Sequence, residues 1–199
     1  MSQTIAYQIE DRCYLNITDR CTLSCQFCPK HNGSWDVHEY NLELDHRPKI
    51  QEIMSEIGDV TRFSEVVFCG FGESTLRLKV LLAVAAEVKS KGVKVRLNTD
   101  GLGNRVNKHN ILPELAKVVD AVSVSMNAHN EQVYQQHCLP SLEGSFQDML
   151  EFLKLAPEYI DDVTATAIDG LEGVDIDACE SIAQNLGVQF KRRHLDVVG

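Results

Sequence analysis

Long hydrophobic runs are scarce in this sequence of 199 residues. The longest one, Val80 to Ala86, lies between Lys79 and Glu87. It is too short for a bilayer, which takes about 20 consecutive apolar residues to cross. The first residues, Met1 to Cys13, also lack the uninterrupted apolar segment of a secretory signal. We therefore expect a cytoplasmic protein with no membrane partner.

Positive charge is scarce as well. The chain has 19 Lys and Arg residues against 29 Asp and Glu residues, and its formal net charge is -10. Such a charge repels phosphate, so binding to nucleic acid or to anionic membranes is disfavoured. The basic segment Lys191–His194 is the one compact exception, and a solvated chain end explains it more simply than a nucleic-acid site.

Nothing in the sequence divides it into parts. There is no internal repeat, no low-complexity tract and no linker rich in proline and glycine, so we expect a single domain over residues 1–199. A hydrophobic content of 44% is enough for one well-buried core. The seven cysteines are an odd number, and the secretory signal is missing, which together argue against a disulfide framework.

Three cysteines, Cys21, Cys25 and Cys28, stand close together after a strand-like run that ends at Thr18. A loop with three thiolates can hold an iron–sulfur cluster and leave one iron open to a small molecule. Zinc is an alternative, because His31 extends the spacing to a possible Cys3His tetrahedron. Packing of three core cysteines is another, although the residues between them are largely polar.

Strand-like and helical segments alternate along the chain. The predicted strands are Cys13–Thr18, Glu65–Phe71, Val93–Asn98, Ala121–Met126, Val163–Ile168 and Val188–Arg193. Apolar residues at helical spacing predict helices over residues 50–57, 78–88, 111–119, 145–156 and 176–186. This α/β alternation implies right-handed crossovers and a parallel sheet, which either stays open or curls.

The predicted strands are polar along one face, whereas a parallel strand covered on both sides should be apolar on both. The polar sets are Asn16 and Thr18; Lys94, Arg96 and Asn98; Ser123, Ser125 and Asn127; and Thr164 and Thr166. A polar lumen holding a charged ligand would explain all four sets. The pattern therefore favours an incomplete (β/α)6 barrel over a doubly wound open sheet, with chemistry at the carboxyl ends of the strands. Both faces of the sixth strand carry charge, which leaves its inward face undecided.

A glycine-rich segment ending in a carboxylate, Gly70-Phe71-Gly72-Glu73, follows the second predicted strand. Its glycines would let the backbone approach a ligand closely, although a plain strand-to-helix connection is the simpler explanation. The cysteine spacing Cys-x3-Cys-x2-Cys, with Phe27 just before the third cysteine, resembles the radical S-adenosylmethionine (SAM) superfamily. The glycine segment strengthens this resemblance, although the familiar form ends in proline where Ser74 stands here.

The resemblance implies a partial TIM barrel in which Cys21, Cys25 and Cys28 bind a [4Fe-4S] cluster. The open iron would take the amino and carboxylate groups of SAM. The reduced cluster would then cleave SAM to a 5′-deoxyadenosyl radical, which abstracts hydrogen from the substrate. Phe27 would lie near the adenine, and Gly70–Glu73 would contact the SAM amino group.

Further polar residues match the family's pattern of contacts. Asn98, Ser125 and Asn127 fall where the family places contacts to the SAM carboxylate and ribose. A narrower resemblance, to the small radical SAM proteins described as TatD-associated, would cover nearly the whole chain. It rests on Ser125-Met126-Asn127-Ala128, Tyr134, Cys138, Pro140 and the helix start Ser145-Phe146. It does not supply a substrate.

Cys138 lies beside His137 in a predicted loop beyond the fourth strand. Its thiol could return a hydrogen atom to a substrate radical, and simple packing is the alternative. The remaining cysteines, Cys13, Cys69 and Cys179, share faces with apolar residues and are expected to pack in the core.

The expected partners are a small-molecule or peptide substrate and an electron donor such as flavodoxin or ferredoxin. Two other functions stay open. One is an activating enzyme that installs a radical on a partner protein, and the other is a zinc or iron–sulfur binding module without catalysis.

Overall fold

Short strands of largely buried residues build one mostly parallel sheet in the computed structural model, which describes residues 3–195. The strands are β1 (Ala6–Ile9), β2 (Arg12–Leu15), β3 (Asp36–Val37), β4 (Tyr40–Asn41), β5 (Glu65–Phe68), β6 (Lys94–Thr99), β7 (Ala121–Ser125), β8 (Asp162–Asp169) and β9 (Gln189–His194). The sheet has seven strands in the order β1-β2-β5-β6-β7-β8-β9, and β3 and β4 form a separate hairpin. All neighbours in the sheet are parallel except β1 and β2.

Amphipathic helices cover the outer face of the sheet. They are α1 (Ile50–Ile57), α2 (Leu78–Ser90), α3 (Gly103–Asn107), α4 (Leu112–Leu115), α5 (Glu131–Cys138), α6 (Ser145–Leu155) and α7 (Ile176–Asn185). In α2 the residues Leu81, Val84, Ala85 and Val88 recur at helical spacing and are fully buried. Within residues 3–195, no helix has both the length and the apolar character needed to cross a bilayer.

The six predicted strands are present as six parallel strands, with shifted ends. The first two end earlier than predicted, at Leu15 and Phe68. Beyond these points the chain leaves the sheet, and the Asn16 side-chain amide donates to Leu42 O at 2.9 Å instead of facing the lumen. The extra strand β1 was missed, because four residues give too short an alternation to distinguish a strand from a loop.

The helix predictions were less accurate. The helix predicted over 111–119 is helical only in α4, and tight turns continue the chain to Val119. The helix predicted over 145–156 begins at Ser145 as expected, with Gly144 as its cap residue, and Ser145 Oγ donates to Leu142 O at 2.7 Å. The predicted loop around Cys138 is wrong, since Cys138 is the last residue of α5. This helix is mostly polar, so it lacks the apolar periodicity on which the prediction relied.

The inward faces of the parallel strands line a polar lumen of about 310 Å³. Its walls include Arg96, Asn98, Ser123, Ser125, Thr164 and Thr166, as the polar faces predicted. The structure also shows which face of the sixth predicted strand points inward. Lys191 and Arg193 line the lumen, whereas Arg192 points outward and pairs with Asp177 and Glu180, each at 2.6 Å.

An ion network lines the lumen where the strands begin. Glu65, whose side chain is 11% exposed, accepts two hydrogen bonds from Arg96 Nε at 3.1 and 3.2 Å and pairs with Arg12 Nε at 3.5 Å. Arg96 also pairs with Asp162 at 3.7 Å. Two guanidinium groups thus share one largely buried carboxylate, and removing that carboxylate would leave both without their principal partner.

We expect Glu65→Gln to lower the free energy of unfolding by about 2–3 kcal/mol, because it leaves poorly solvated positive charge in the lumen. The matched control is Glu180→Gln, which breaks the outward pair with Arg192 and should cost less than about 1 kcal/mol. Urea denaturation of both variants measures the difference. Equal losses would contradict a structural role for the network.

Candidate functional site

A cavity of about 340 Å³ lies at the carboxyl ends of the parallel strands. Small-molecule sites have volumes of about 300–1,000 Å³, so this cavity is large enough for one. Its lining includes every residue predicted to bind the cluster or SAM: Cys21, Cys25, Cys28, Phe27, Gly70, Phe71, Gly72, Glu73, Asn98, Ser125 and Asn127. The structure therefore brings together, in one place, residues from four separate segments of the chain.

The cysteine loop, residues 20–28, is fixed on one side by the chain just after α5. Leu23 forms an isolated β-bridge with Pro140. Backbone hydrogen bonds join the two segments, among them Gln26 N to His137 O (2.8 Å), Ser24 N to Cys138 O (3.1 Å) and Ser141 N to Thr22 O (3.0 Å). The three cysteines are thus carried by a loop whose backbone is fully supported rather than free.

On its other side the cysteine loop contacts the glycine segment, residues 70–73. Glu73 N donates to Arg20 O at 2.7 Å. Lys30, two residues after Cys28, donates from Nζ to Phe71 O at 2.8 Å and to Asp19 O at 3.0 Å. An ammonium group therefore links the two segments, and it occupies one of the carbonyls that were candidates for a ligand.

The glycines are required by packing between these two segments. A Cβ on Gly72 would lie 2.7 Å from Arg20 O and closer still to Thr18 O, both of which are backbone atoms. A Cβ on Gly70 would first meet the Asn16 side chain, with Oδ1 at 2.5 Å. Gly72 thus allows close approach as expected, but the group that approaches is the chain before Cys21.

The Glu73 carboxylate is largely occupied by the chain itself. Oε1 accepts from Thr75 N at 2.9 Å and from Thr99 Oγ1 at 3.0 Å, and Oε2 accepts from Asp100 N at 2.8 Å. Glu73 therefore ties the glycine segment to the end of β6. Glu73 also lines the cavity, so its contact with the SAM amino group stays a prediction.

Asp100 connects β6 to the cysteine loop and was missed by sequence reasoning. Its Oδ2 accepts from Thr22 Oγ1 at 2.6 Å and lies 4.0 Å from Cys21 Sγ, and its Oδ1 accepts from Leu102 N at 2.9 Å. Burial, and then the neighbouring Glu73, raise the pKa of Asp100 well above its usual range. Asp residues are common in the loops that follow strands, so nothing in the local sequence distinguished Asp100 from the others.

All three thiols of the cysteine loop are free. The pKa values of Cys21 and Cys28 are raised, chiefly by desolvation, and that of Cys25 chiefly by its interaction with Cys138. Thiolates at these positions therefore need an adjacent positive charge, which a metal centre supplies. Across residues 3–195, no three His, Cys, Asp or Glu side chains converge closely enough to bind a single metal ion.

The zinc alternative is not assembled in the structure. A tetrahedral zinc site holds four ligands at about 2.0–2.3 Å from one ion. His31 is exposed, and its backbone N–H donates to Cys28 O at 3.0 Å. It is absent from the cavity lining within the described part of the chain. The Cys3His arrangement that the spacing allowed is therefore not formed by these side chains.

The other cysteines divide into three groups. Cys13 and Cys179 are buried in the core, as expected. Cys69 lines the cavity, so the expectation of simple core packing was wrong; it directly precedes Gly70, which was the available signal. Cys138 is fully buried and stands against Cys25, outside the cavity lining. Its thiol therefore lies behind the cysteine loop, and its role as a hydrogen donor stays a prediction.

Two asparagines provide polar contacts inside the cavity. Asn98 Oδ1 is buried and accepts no hydrogen bond from the residues that the structure describes, so it is available to a ligand. Asn127 adopts φ +56°, a left-handed conformation that Asn tolerates better than most residues. Its Oδ1 accepts from Arg193 at 3.0 Å. Arg193 was not predicted here, because the inward face of its strand was undecided.

Solved structures with similar folds confirm the predicted incomplete barrel. The structure of TYW1 with a lysine-pyruvate adduct bound superposes with a TM-score of 0.64 at 12% identity and covers 95% of this chain and 66% of that chain. Streptococcus suis SuiB bound to S-adenosylmethionine gives a TM-score of 0.65 at 15% identity over 92% of this chain and 40% of its own. At these identities the likeness shows the fold alone.

Two curated proteins are similar in sequence. The tungsten-containing aldehyde ferredoxin oxidoreductase cofactor-modifying protein of Pyrococcus furiosus is 32% identical over 118 residues, which is 57% of this chain and 30% of the relative. The probable dual-specificity RNA methyltransferase RlmN of Trichodesmium erythraeum is 27% identical over 147 residues, or 70% of this chain and 39% of the relative. The matched region thus spans about a third of the length of each relative.

The TatD-associated subfamily stays a prediction, since neither relative is described in that way. The superfamily itself is established by a wider match. A family model described as the radical SAM superfamily matches residues 15–186, from β2 to the end of α7 and beyond, and therefore includes the cysteine loop and the glycine segment. This chain belongs to the radical SAM superfamily.

Proposed function

We propose that this protein is a radical SAM enzyme in which Cys21, Cys25 and Cys28 hold a [4Fe-4S] cluster and the adjoining cavity binds SAM. The observation that carries the proposal is that the three thiols and all the predicted SAM contacts line one cavity. When bound, the cluster and SAM supply a one-electron cleavage that yields a hydrogen-abstracting 5′-deoxyadenosyl radical.

The donor set suits such a cluster. Three free thiols line the cavity without converging on a single point. A cluster binds each thiolate through a different iron, so its ligands stand farther apart than those of one zinc ion. Asn98 Oδ1 adds an unused buried acceptor to the same cavity.

The chain's own residues would hold SAM in a fixed orientation. Phe27 gives an apolar wall for the adenine, while Asn98, Ser125 and Asn127 offer polar contacts to the ribose and carboxylate. The carbonyls of the glycine segment would receive the SAM ammonium, apart from Phe71 O, which Lys30 already occupies. Glu73 would act through this backbone as a positioning residue.

The substrate we propose is a small molecule or a peptide that enters the lumen from the cavity. The two spaces are adjacent, because both are lined by Tyr14, Asn98, Ser125 and Arg193. SuiB, which shares the fold, has been captured with its precursor peptide SuiA. The net charge of -10 argues against RNA, the substrate class in the name of one relative. Flavodoxin or ferredoxin stays the proposed electron donor.

The proposal predicts that anaerobically reconstituted protein holds about four irons per chain. After reduction it should release 5′-deoxyadenosine from SAM. Iron binding and 5′-deoxyadenosine release should both be lost in Cys21→Ala, in Cys25→Ala and in Cys28→Ala, because each variant removes a cluster ligand. Cys13→Ala, which alters only a core thiol, is the matched control and should retain iron. Iron and sulfide analysis measures cluster content, and chromatography measures the released nucleoside. Zinc bound in place of iron would contradict the proposal.

The glycine segment gives a second prediction. Gly72→Ala should retain iron about tenfold less tightly, because its Cβ overlaps the backbone before Cys21 and overpacking costs about 1–3 kcal/mol. Gly92→Ala, in the turn after α2, is the control: its added Cβ has no atom within 4 Å and its φ of +79° costs stability away from the site, so its iron binding should stay at the wild-type level. Iron content and the effect of SAM on the reduced cluster's EPR spectrum are the measurements. Wild-type values for Gly72→Ala would show that the two segments are not rigidly coupled.

A further inference from the structure

A buried tyrosine behind the cysteine loop has no visible reason to carry a hydroxyl. Tyr134 is fully buried, and its ring packs on Phe146 with a centroid distance of 5.5 Å. Its Oη makes no hydrogen bond with any residue in the described range 3–195. A buried hydroxyl without a partner is destabilising, whereas phenylalanine would keep the packing at no such cost. This hydroxyl therefore points to an acceptor that forms only when the site is loaded.

The surroundings of the Tyr134 hydroxyl identify that acceptor. Its electrostatic neighbours are Cys138, Asp100, Cys25 and Cys21. The Asp100 oxygens already accept from Thr22 Oγ1 and Leu102 N. The remaining neighbours are thiols, which are weak acceptors when protonated and much better ones as thiolates.

Cys138 lies one helical turn after Tyr134 and points toward the same place. It is fully buried, and its thiol interacts with the Cys25 side chain. The hydrogen bonds from Ser24 N and Gln26 N to the carbonyls of residues 138 and 137 hold the end of α5 against the cysteine loop. Neither Tyr134 nor Cys138 lines the cavity, so both act from behind the loop.

We infer that Tyr134 Oη and Cys138 Sγ donate hydrogen bonds to cluster-ligating thiolates, chiefly that of Cys25, and so favour the reduced form of the cluster. The inference rests on the proposed function. Each electron added makes the cluster more negative, and donors to its sulfur atoms stabilise the more negative state. Both residues are positioning residues, because they act on the cluster through its ligands and do not touch SAM or substrate.

The test is an EPR-monitored redox titration of the anaerobically reconstituted full chain. Tyr134→Phe and Cys138→Ala should each shift the midpoint potential to a more negative value at unchanged iron content, because each removes one donor. Cys138→Ser keeps a donor at this position, so its midpoint potential should stay close to that of the wild type. The matched controls are Tyr159→Phe, at an exposed tyrosine, and Cys179→Ala, at a core cysteine of α7; both should keep the wild-type potential.

The outcomes separate this inference from the proposed function. If the wild type binds a cluster but Tyr134→Phe and Cys138→Ala titrate like the controls, the inference is overturned and the proposed function stands. If Tyr134→Phe loses iron while remaining folded by circular dichroism, the hydroxyl serves cluster retention, which also overturns it. A wild type that binds no iron overturns both.

Discussion

Backbone hydrogen bonds on both flanks of the cysteine loop are the constraint on which the site depends. On one flank Glu73 N binds Arg20 O, and on the other the end of α5 receives Ser24 N and Gln26 N. A nine-residue loop would otherwise fluctuate, and three thiolates need fixed relative positions to bind one cluster. Gly72 and Lys30 contribute to the same constraint. Gly72 lets the glycine segment approach the chain before Cys21, and Lys30 joins the cysteine loop to the glycine segment through its hydrogen bond to Phe71 O.

The interior of the barrel is polar although a closed parallel sheet is ordinarily filled with apolar side chains. Hydroxyl and amide groups from β6, β7 and β8 face a lumen whose far end is lined by Glu65 and its two arginines. The two ends of the lumen therefore differ in character: the cysteine loop lies at the carboxyl ends of the strands, and an ion network lies where the strands begin.

The sequence was most informative where chemistry requires a fixed spacing or a strict alternation. The cysteine spacing and the polar strand faces located the cavity lining, because a ligand loop and a two-residue period are both local in the chain. Contacts between distant segments were not predictable. The partners of the Glu73 carboxylate, Thr99 Oγ1 and Asp100 N, donate to it from the end of β6, which is distant in the chain. Cys138 looked like a loop residue because α5 is too polar to show its helical period.

The bond between Ser141 Oγ and Thr22 O joins residues that are 119 positions apart in the chain. Closing so long a loop is entropically costly and comes late in folding, after nearer strands have paired. During synthesis the cysteine loop therefore emerges well before the segment that fixes it. Until that segment is made, the three thiols lie on a flexible loop exposed to oxidation, so insertion of the proposed cluster would have to follow folding.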